Sequence, residues 1–284
     1  MIRRASDGLR ARVVGPWTQE KLAYVERYAR AFMTAMAPKR QQGRWKSLVY
    51  IDLLAGPGRC INRHAKVEFD GSPLRALRVQ PAFDHHYFTD VDPKNIDALQ
   101  KRMPAQDHSR VYCRTGDCNV LIRNIIGQLH DRTLGLAFLD PEGFEVRFET
   151  LKLLATRRID ILYLFPSGIG IARNLRAFAR MPHSPMDDLW GGRDWRDLPP
   201  AKLAAGKRLS PEEESSHDRP WVQSFRSKVT TLGLIYQDEG DPVLRNDTNT
   251  PMYHLLFFSK DSAGLTIWRG IKQIEPSGQR KLRI

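Results

Sequence analysis

Between Thr18 and Met36 the apolar residues Leu22, Val25, Tyr28, Ala29, Phe32, Met33 and Met36 recur at spacings of three and four. That period predicts an amphipathic helix over 17–37, with Thr18 as its cap and Pro38 as its end. The pattern then changes. Residues 47–54 form a continuous apolar run of the kind a buried parallel strand requires. Further runs at 86–89, 111–114, 134–139 and 159–165 read as strands. They alternate with helical stretches that open at Gly71-Ser72-Pro73 and cover about 93–102, 119–129 and 149–155. Five strands separated by helices predict an α/β fold built on a parallel sheet. The polar segment 59–70 reads as irregular. Residues 181–219, with Pro182, Pro185, Gly191-Gly192 and Pro199-Pro200, read as an insertion with weak regular structure. A helical pattern resumes over 221–232, and apolar runs at 234–237 and 252–259 end the fold. The expected organisation is an N-terminal helical extension (1–45), a cofactor-binding Rossmann-like core (46–180), the insertion (181–219), and a C-terminal helix with a β-hairpin completing the sheet (220–284).

Composition narrows the class. A chain of 284 residues with 41% hydrophobic content can bury one large core. It contains no run of about 18 apolar residues, the length that crosses a membrane. The N-terminus shows no apolar signal region, and three irregularly spaced cysteines (Cys60, Cys113, Cys118) argue against a disulfide framework or a closed zinc site. A cytoplasmic location is the expectation. Forty-five Lys and Arg against 32 Asp and Glu give a net charge of +13, which favours a polyanionic partner.

Candidate chemistry falls at the carboxyl ends of the predicted strands, where an open α/β sheet binds its ligand. The first strand runs into Asp52 and the turn Ala55-Gly56-Pro57-Gly58, whose glycines allow a sharp bend without a Cβ in the way of a ligand. Asp90, ending the second strand, is an acceptor-only group suited to two ribose hydroxyls. Asp117, after the third, is placed to meet an adenine amino group, with Cys118 packing on the ring. Asp92 and Asn119 read equally well as helix caps.

The segments Tyr-Ile-Asp-Leu-Leu-Ala-Gly-Pro-Gly-Arg, Gly-Ser-Pro-Leu, Phe-Thr-Asp-Val-Asp, Phe-Leu-Asp-Pro-Glu-Gly and Pro-Met-Tyr-His-Leu-Leu-Phe-Phe-Ser-Lys together resemble the three-Cys-motif partner (TcmP) family, within the class I S-adenosylmethionine-dependent methyltransferases. The resemblance covers about residues 20–275 and is least distinctive over 181–219. It implies a mostly parallel seven-stranded sheet closed by an antiparallel C-terminal strand. It also implies S-adenosylmethionine as cofactor, in a pocket carried by Asp52, Gly56, Gly58, Asp90, Asp117 and Asp140. Transfer chemistry would sit at Asp140-Pro141-Glu142-Gly143-Phe144. Amino-directed nucleic-acid methyltransferases place an Asp/Asn-Pro-Pro-Tyr/Phe element there, whose first side chain orients an exocyclic amine while the aromatic ring stacks on an extruded base. Asp140 and Pro141 keep that pattern, whereas Glu142 replaces the second proline and Phe144 comes one residue late. That departure puts base amine methylation in doubt. No cysteine stands where a cytosine C5 enzyme needs its nucleophile.

Arg157, Arg158, Arg173, Arg176 and Arg180 bracket the fifth strand, and Arg280, Lys281 and Arg283 lie near the end of the chain. They are candidate phosphate contacts for DNA or RNA. Trp190, Trp195 and Trp221 read more readily as buried packing than as stacking surfaces. No P-loop motif is present, and His85-His86 lacks a third metal ligand at a regular spacing. No metal is expected, and Glu212–Glu214 reads as a solvated helix start. The leading expectation is an S-adenosylmethionine-dependent methyltransferase acting on nucleic acid. One rival is an NAD-dependent oxidoreductase, although the turn lacks the third glycine of Gly-x-Gly-x-x-Gly. Another is a non-catalytic or partner-dependent protein that keeps the fold to bind nucleic acid or a protein.

Overall fold

The computed structural model describes residues 1–207 and 220–273. In chain order the strands are β1 (Ile2–Arg4), β2 (Arg10–Val14), β3 (Ser47–Asp52), β4 (Arg59–Asn62), β5 (Glu68–Asp70), β6 (His85–Asp90), β7 (Val111–Thr115), β8 (Thr133–Leu139), β9 (Arg158–Phe165), β10 (Tyr236–Gln237), β11 (Val243–Arg245) and β12 (Pro251–Ser259). The helices are α1 (Trp17–Gln41), α2 (Ser72–Leu77), α3 (Pro93–Arg102), α4 (Cys118–Gln128), α5 (Phe148–Ala155), α6 (Arg173–Arg180), α7 (Pro185–Trp190), α8 (Pro199–Ala204), α9 (Pro220–Thr230) and α10 (Ser262–Lys272).

The central sheet has the order β10-β12-β9-β8-β3-β6-β7, with β11 added on β12. From β7 to β9 the strands are parallel, and β12 runs antiparallel to β9. This is the sheet that the resemblance implies, with one extra short strand. Successive residues of β3 point to opposite faces. Val49 and Ile51 enter an apolar cluster with Ile122 of α4, Leu151 of α5 and Phe225 of α9, whereas Leu48 and Tyr50 enter a second with α1, α2 and Trp268 of α10. Burial on both faces is why the run lacks alternation. β3 pairs with β6 on one side and β8 on the other, so the winding reverses at β3 and opens a crevice at its carboxyl end.

Several local expectations are corrected. α1 continues through Pro38 to Gln41, because a proline in the last turn removes one hydrogen bond while its fixed φ stays helical. Thr18 lies inside that helix, and the N-cap position is Pro16. Residues 1–45 are not helical throughout. β1 and β2 join β4 and β5, which occupy the segment expected to be irregular, in a second sheet of order β1-β2-β4-β5. Its strands are three to five residues long, β1, β2 and β4 carry arginine, and β2 pairs in parallel with β4 across the whole of α1. Such pairing leaves no local period to read. The C-terminal pair is not a simple hairpin either. β10 and β11 pair with opposite ends of β12, and α10 follows, its Trp268 stacked on Phe257 at 5.6 Å. In the described part of the insertion, Trp190 and Trp195 are buried, and Trp195 Nε1 donates to Asp187 Oδ1 at 2.7 Å. Tryptophan packing therefore orders α7 and α8. The Glu212–Glu214 run and Arg280, Lys281 and Arg283 lie outside the described residues.

Candidate cofactor and transfer site

The glycine turn after β3 adopts the conformation that its sequence requires. Gly56 and Gly58 have φ of 65° and 80°, in the left-handed region where a Cβ is strained. A Cβ on Gly58 would lie 2.8 Å from Leu99 Cδ1, whereas one on Gly56 would meet nothing within 4 Å. Gly58 is fixed by packing. Gly56 keeps its face open for a ligand.

Asp90 braces this turn. Its Oδ2 accepts from Gly56 N at 3.0 Å, and its Oδ1 accepts from Asp92 N at 2.8 Å and Asn95 Nδ2 at 3.1 Å. Ala55 N donates to Thr89 O at 2.8 Å, so the ends of β3 and β6 hold the loop together. Arg102 adds a clamp from α3, donating to Pro57 O at 2.6 Å and to Arg10 O and Asp7 of the small sheet.

Asp52 is fully buried at the foot of the turn. Its Oδ1 accepts from Leu54 N at 3.3 Å, and its Oδ2 has no hydrogen-bond partner among the described residues. Burial pushes its carboxyl up to about 7, and the Asp140 charge adds to that, while Ser72, Leu54 N–H and Lys21 moderate it.

A cleft of about 330 Å³ opens beside the turn. Its floor is 54–60 with Asp140, Pro141 and Glu142, and its walls are the start of α1, strand β2, Arg63 and Tyr253. Both oxygens of Asp140 accept from Lys21 Nζ, at 2.7 and 2.6 Å, and the Lys21 side chain is only 6% exposed. Glu142 pairs with Arg12, and its carbonyl accepts from Tyr253 Oη at 3.0 Å. The Arg63 guanidinium lies 4.7 Å over the Trp17 ring and 3.2 Å from Asp247. Arg59 lies 3.4 Å from Asp70. Each cation of the cleft thus has a carboxylate partner.

Lys21, Arg12, Trp17, Arg63 and Tyr253 were absent from the sequence expectations. Lys21 alone carried a signal, a lysine on the buried stripe of α1 between Thr18 and Leu22.

Other expected site residues are placed differently. Asp117 is exposed and caps α4, accepting from Asn119 N at 2.7 Å. Cys118 is buried, with its thiol 3.7 Å from Glu145 O and pushed up to about 12 by burial. It faces protein. Phe144 packs edge-on against Phe178 at 5.2 Å, so its ring is committed to holding α6 against the 140–145 loop. Arg157 and Arg158 stand at the start of β9, the opposite end of the sheet from the cleft, because a strand's first residues cannot reach its carboxyl edge. Arg173, Arg176 and Arg180 lie on α6, which follows the carboxyl end of β9. They are exposed and have no ion pair among the described residues.

Among the described residues, no group of three or more His, Cys, Asp or Glu could hold a metal ion, and no helix is long and apolar enough to cross a membrane.

No protein-family model matches the chain, and no curated protein matches it. Solved structures with a similar layout include magnesium protoporphyrin IX methyltransferase from Synechocystis, with 11% identity over 86% of this chain and 84% of that one and a TM-score of 0.38. Trm5b from Pyrococcus abyssi aligns at 14% identity over 79% of this chain and 48% of that one, with a TM-score of 0.35. An S-adenosylmethionine-dependent methyltransferase from Anabaena variabilis aligns at 9% identity over 90% and 99%, also at 0.35. The fold is α/β and Rossmann-like. Likeness at this level carries nothing further about activity, and the functional reading rests on this chain's own residues.

Proposed function

We propose that this protein is an S-adenosylmethionine-dependent methyltransferase acting on nucleic acid, of the TcmP type. The observation that carries the reading is the pairing of a left-handed glycine turn, braced through Gly56 N by Asp90, with a fully buried Asp52 at the end of β3 that Ser72 and the Leu54 N–H support. A carboxyl fully buried at the switch point is costly to ionise unless a cationic ligand group adds to these donors.

The residues present fit the cofactor. Asp52 and the 55–58 backbone would hold its amino-acid portion, and the remaining lone pairs of Asp90 would take its ribose hydroxyls. When bound, S-adenosylmethionine supplies a methyl group activated by its sulfonium. The protein's work is to orient the acceptor in line and exclude water. Lys21 holds Asp140 in a fixed rotamer at the cleft floor, and Pro141 and Glu142, tied by Tyr253 and Arg12, fix the loop beyond it.

An exocyclic amine is the weaker acceptor in this reading, since both Asp140 oxygens already accept from Lys21. An acceptor offering a lone pair to the Lys21 ammonium suits the site better. Nucleic acid as the substrate class is supported by the exposed Arg173, Arg176 and Arg180, which have no ion pair among the described residues and stand at helical spacing on α6 beside the 140–145 loop.

Transfer of label from methyl-labelled S-adenosylmethionine to DNA, tRNA and rRNA tests the proposal. Incorporation that disappears in Asp52→Ala is expected. Cofactor binding without transfer to any nucleic acid, alone or with a partner protein, would overturn the substrate class.

A further inference from the structure

The amino-terminal end of the central sheet, opposite the cleft, carries a second group of cations. Arg157 and Arg158 open β9, Arg132 precedes β8, Arg44 and Lys46 precede β3, and Lys260 follows antiparallel β12. Pairing of the strands brings them to one edge. Lys46 N donates to Arg132 O at 2.9 Å, and Leu134 is in register with Arg158. The Trp45 ring has the Arg44 guanidinium at 5.6 Å and the Arg158 guanidinium at 5.9 Å. Arg157, Arg158 and Lys260 line a shallow polar depression of about 460 Å³ with Thr156, Gly233 and Asp131.

The charge here is unbalanced, in contrast to the cleft. Asp131, 3.5 Å from Arg157 and 88% exposed, is the carboxylate in the depression. Arg44, Lys46, Arg132, Arg158 and Lys260 have no carboxylate partner among the described residues. Clustered cations without counter-charges raise the local positive potential, and a phosphate backbone that binds such a surface releases its own condensed counterions. The Trp45 ring, near both the Arg44 and Arg158 guanidinium groups, keeps these two cations together at the edge.

We propose that this amino-edge patch is a second anchoring site for a nucleic-acid backbone, separate from the cleft. The choice of nucleic acid rests on the function proposed above, but the patch is independent of cofactor and chemistry. β8 spans the sheet in seven residues. At ~3.3 Å per residue the two sites stand about 23 Å apart. A duplex touching both must therefore be longer than about seven base pairs, at 3.4 Å each. An anionic lipid surface is the less suitable partner, because Ile235 is the one exposed large apolar side chain close in sequence to the depression among the described residues.

The test is fluorescence anisotropy with a labelled 30-base-pair duplex and a 30-nucleotide RNA (lengths of about four times the span), across a salt series. Wild type is compared with Lys46→Glu/Arg158→Glu/Lys260→Glu and with Arg173→Glu/Arg176→Glu/Arg180→Glu. Circular dichroism checks folding, and the corresponding Gln triple replaces any Glu triple that fails to fold. The amino-edge variant is expected to bind at least about tenfold more weakly and to lose about two to three from the slope of log affinity against log salt. Wild-type affinity in that variant, with loss only in the α6 variant, would overturn the patch and leave the proposed substrate class standing. No binding by wild type at 50 mM salt, the low end at which such contacts are strong, would remove both. A defect seen with phosphatidylserine vesicles and not with nucleic acid would overturn the patch in favour of a membrane.

Discussion

Lys21 Nζ lies 2.7 and 2.6 Å from the two carboxylate oxygens of Asp140, so a residue of the first long helix holds the acid that ends the fourth parallel strand. The contact joins α1 to the candidate transfer loop in a largely buried setting. Removing one partner of such a pair leaves an uncompensated charge. Lys21→Met is therefore expected to cost ~3 kcal/mol, and Lys21→Met/Asp140→Asn to cost less than Lys21→Met alone. Urea unfolding of the four proteins in the cycle measures this; additive costs would show that the two side chains are not coupled.

Under the proposed function, Asp52 is expected to make cofactor affinity depend on pH. Its folded carboxyl is raised to about 7, well above its unfolded range, so the native state holds an extra proton between about pH 4 and pH 7. The stability contributed by the neutral form is full below the unfolded value and is lost as pH rises through about 7. Binding of a cationic ammonium favours the ionised form and runs the other way. Affinity for S-adenosylmethionine is expected to rise by up to tenfold per unit as pH climbs toward about 7 and then to level off. In Asp52→Asn the affinity should be weak and flat from pH 5.5 to 8.5, a range chosen to bracket the ~7 value.

The two glycines of the turn should separate folding from binding. Gly58→Ala combines a left-handed φ with a clash against Leu99, and about 2 kcal/mol of stability is expected to go. Gly56→Ala carries the backbone strain alone, about 1 kcal/mol, but puts a methyl group on the open face of the turn. Thermal unfolding with and without ligand distinguishes them: the Gly56 variant should lose most of its ligand-induced stabilisation while staying folded.

Much of this arrangement was legible in the chain. The runs that became β3, β6, β8 and β9 are buried on both faces and announced themselves by apolar continuity, whereas β7, the edge strand with only Cys113 buried, was marked by its β-forming Val111 and Tyr112. Asp52, Gly56 and Asp90 were marked by standing at the ends of those runs. What was not legible depends on contacts distant in sequence. Arg12 meets Glu142 because a small sheet of short, charged strands folds over the cleft, and Tyr253 reaches the Glu142 carbonyl from β12, more than a hundred residues along the chain. Arg157 and Arg158 could be placed near the fifth strand, but which end of the sheet they face follows from the strand beginning at Arg158. Asp117 and Phe144 have the right residue types at the right spacing, yet a helix cap and the Phe178 ring occupy them.

A buried acid fastens α1 to β9 and β12. Asp160 accepts from Tyr28 Oη at 2.6 Å and from Ser259 Oγ at 2.5 Å, and burial raises its carboxyl to about 6. Tyr28→Phe removes one donor to the ionised form. The expected loss is ~2 kcal/mol, larger at pH 8 than at pH 5, since the raised carboxyl costs stability once pH passes through its folded value. Equal losses at the two pH values, measured by denaturant unfolding, would place the effect in packing instead.

Calorimetric titration with S-adenosylmethionine, and separately with NAD, bears most directly on the cofactor roles proposed for Asp52, Gly56 and Asp90. A saturable isotherm with S-adenosylmethionine alone is expected in wild type, lost in Asp52→Ala and in Asp90→Ala. Binding of NAD in its place, or S-adenosylmethionine affinity unchanged in both variants, would contradict the assignment.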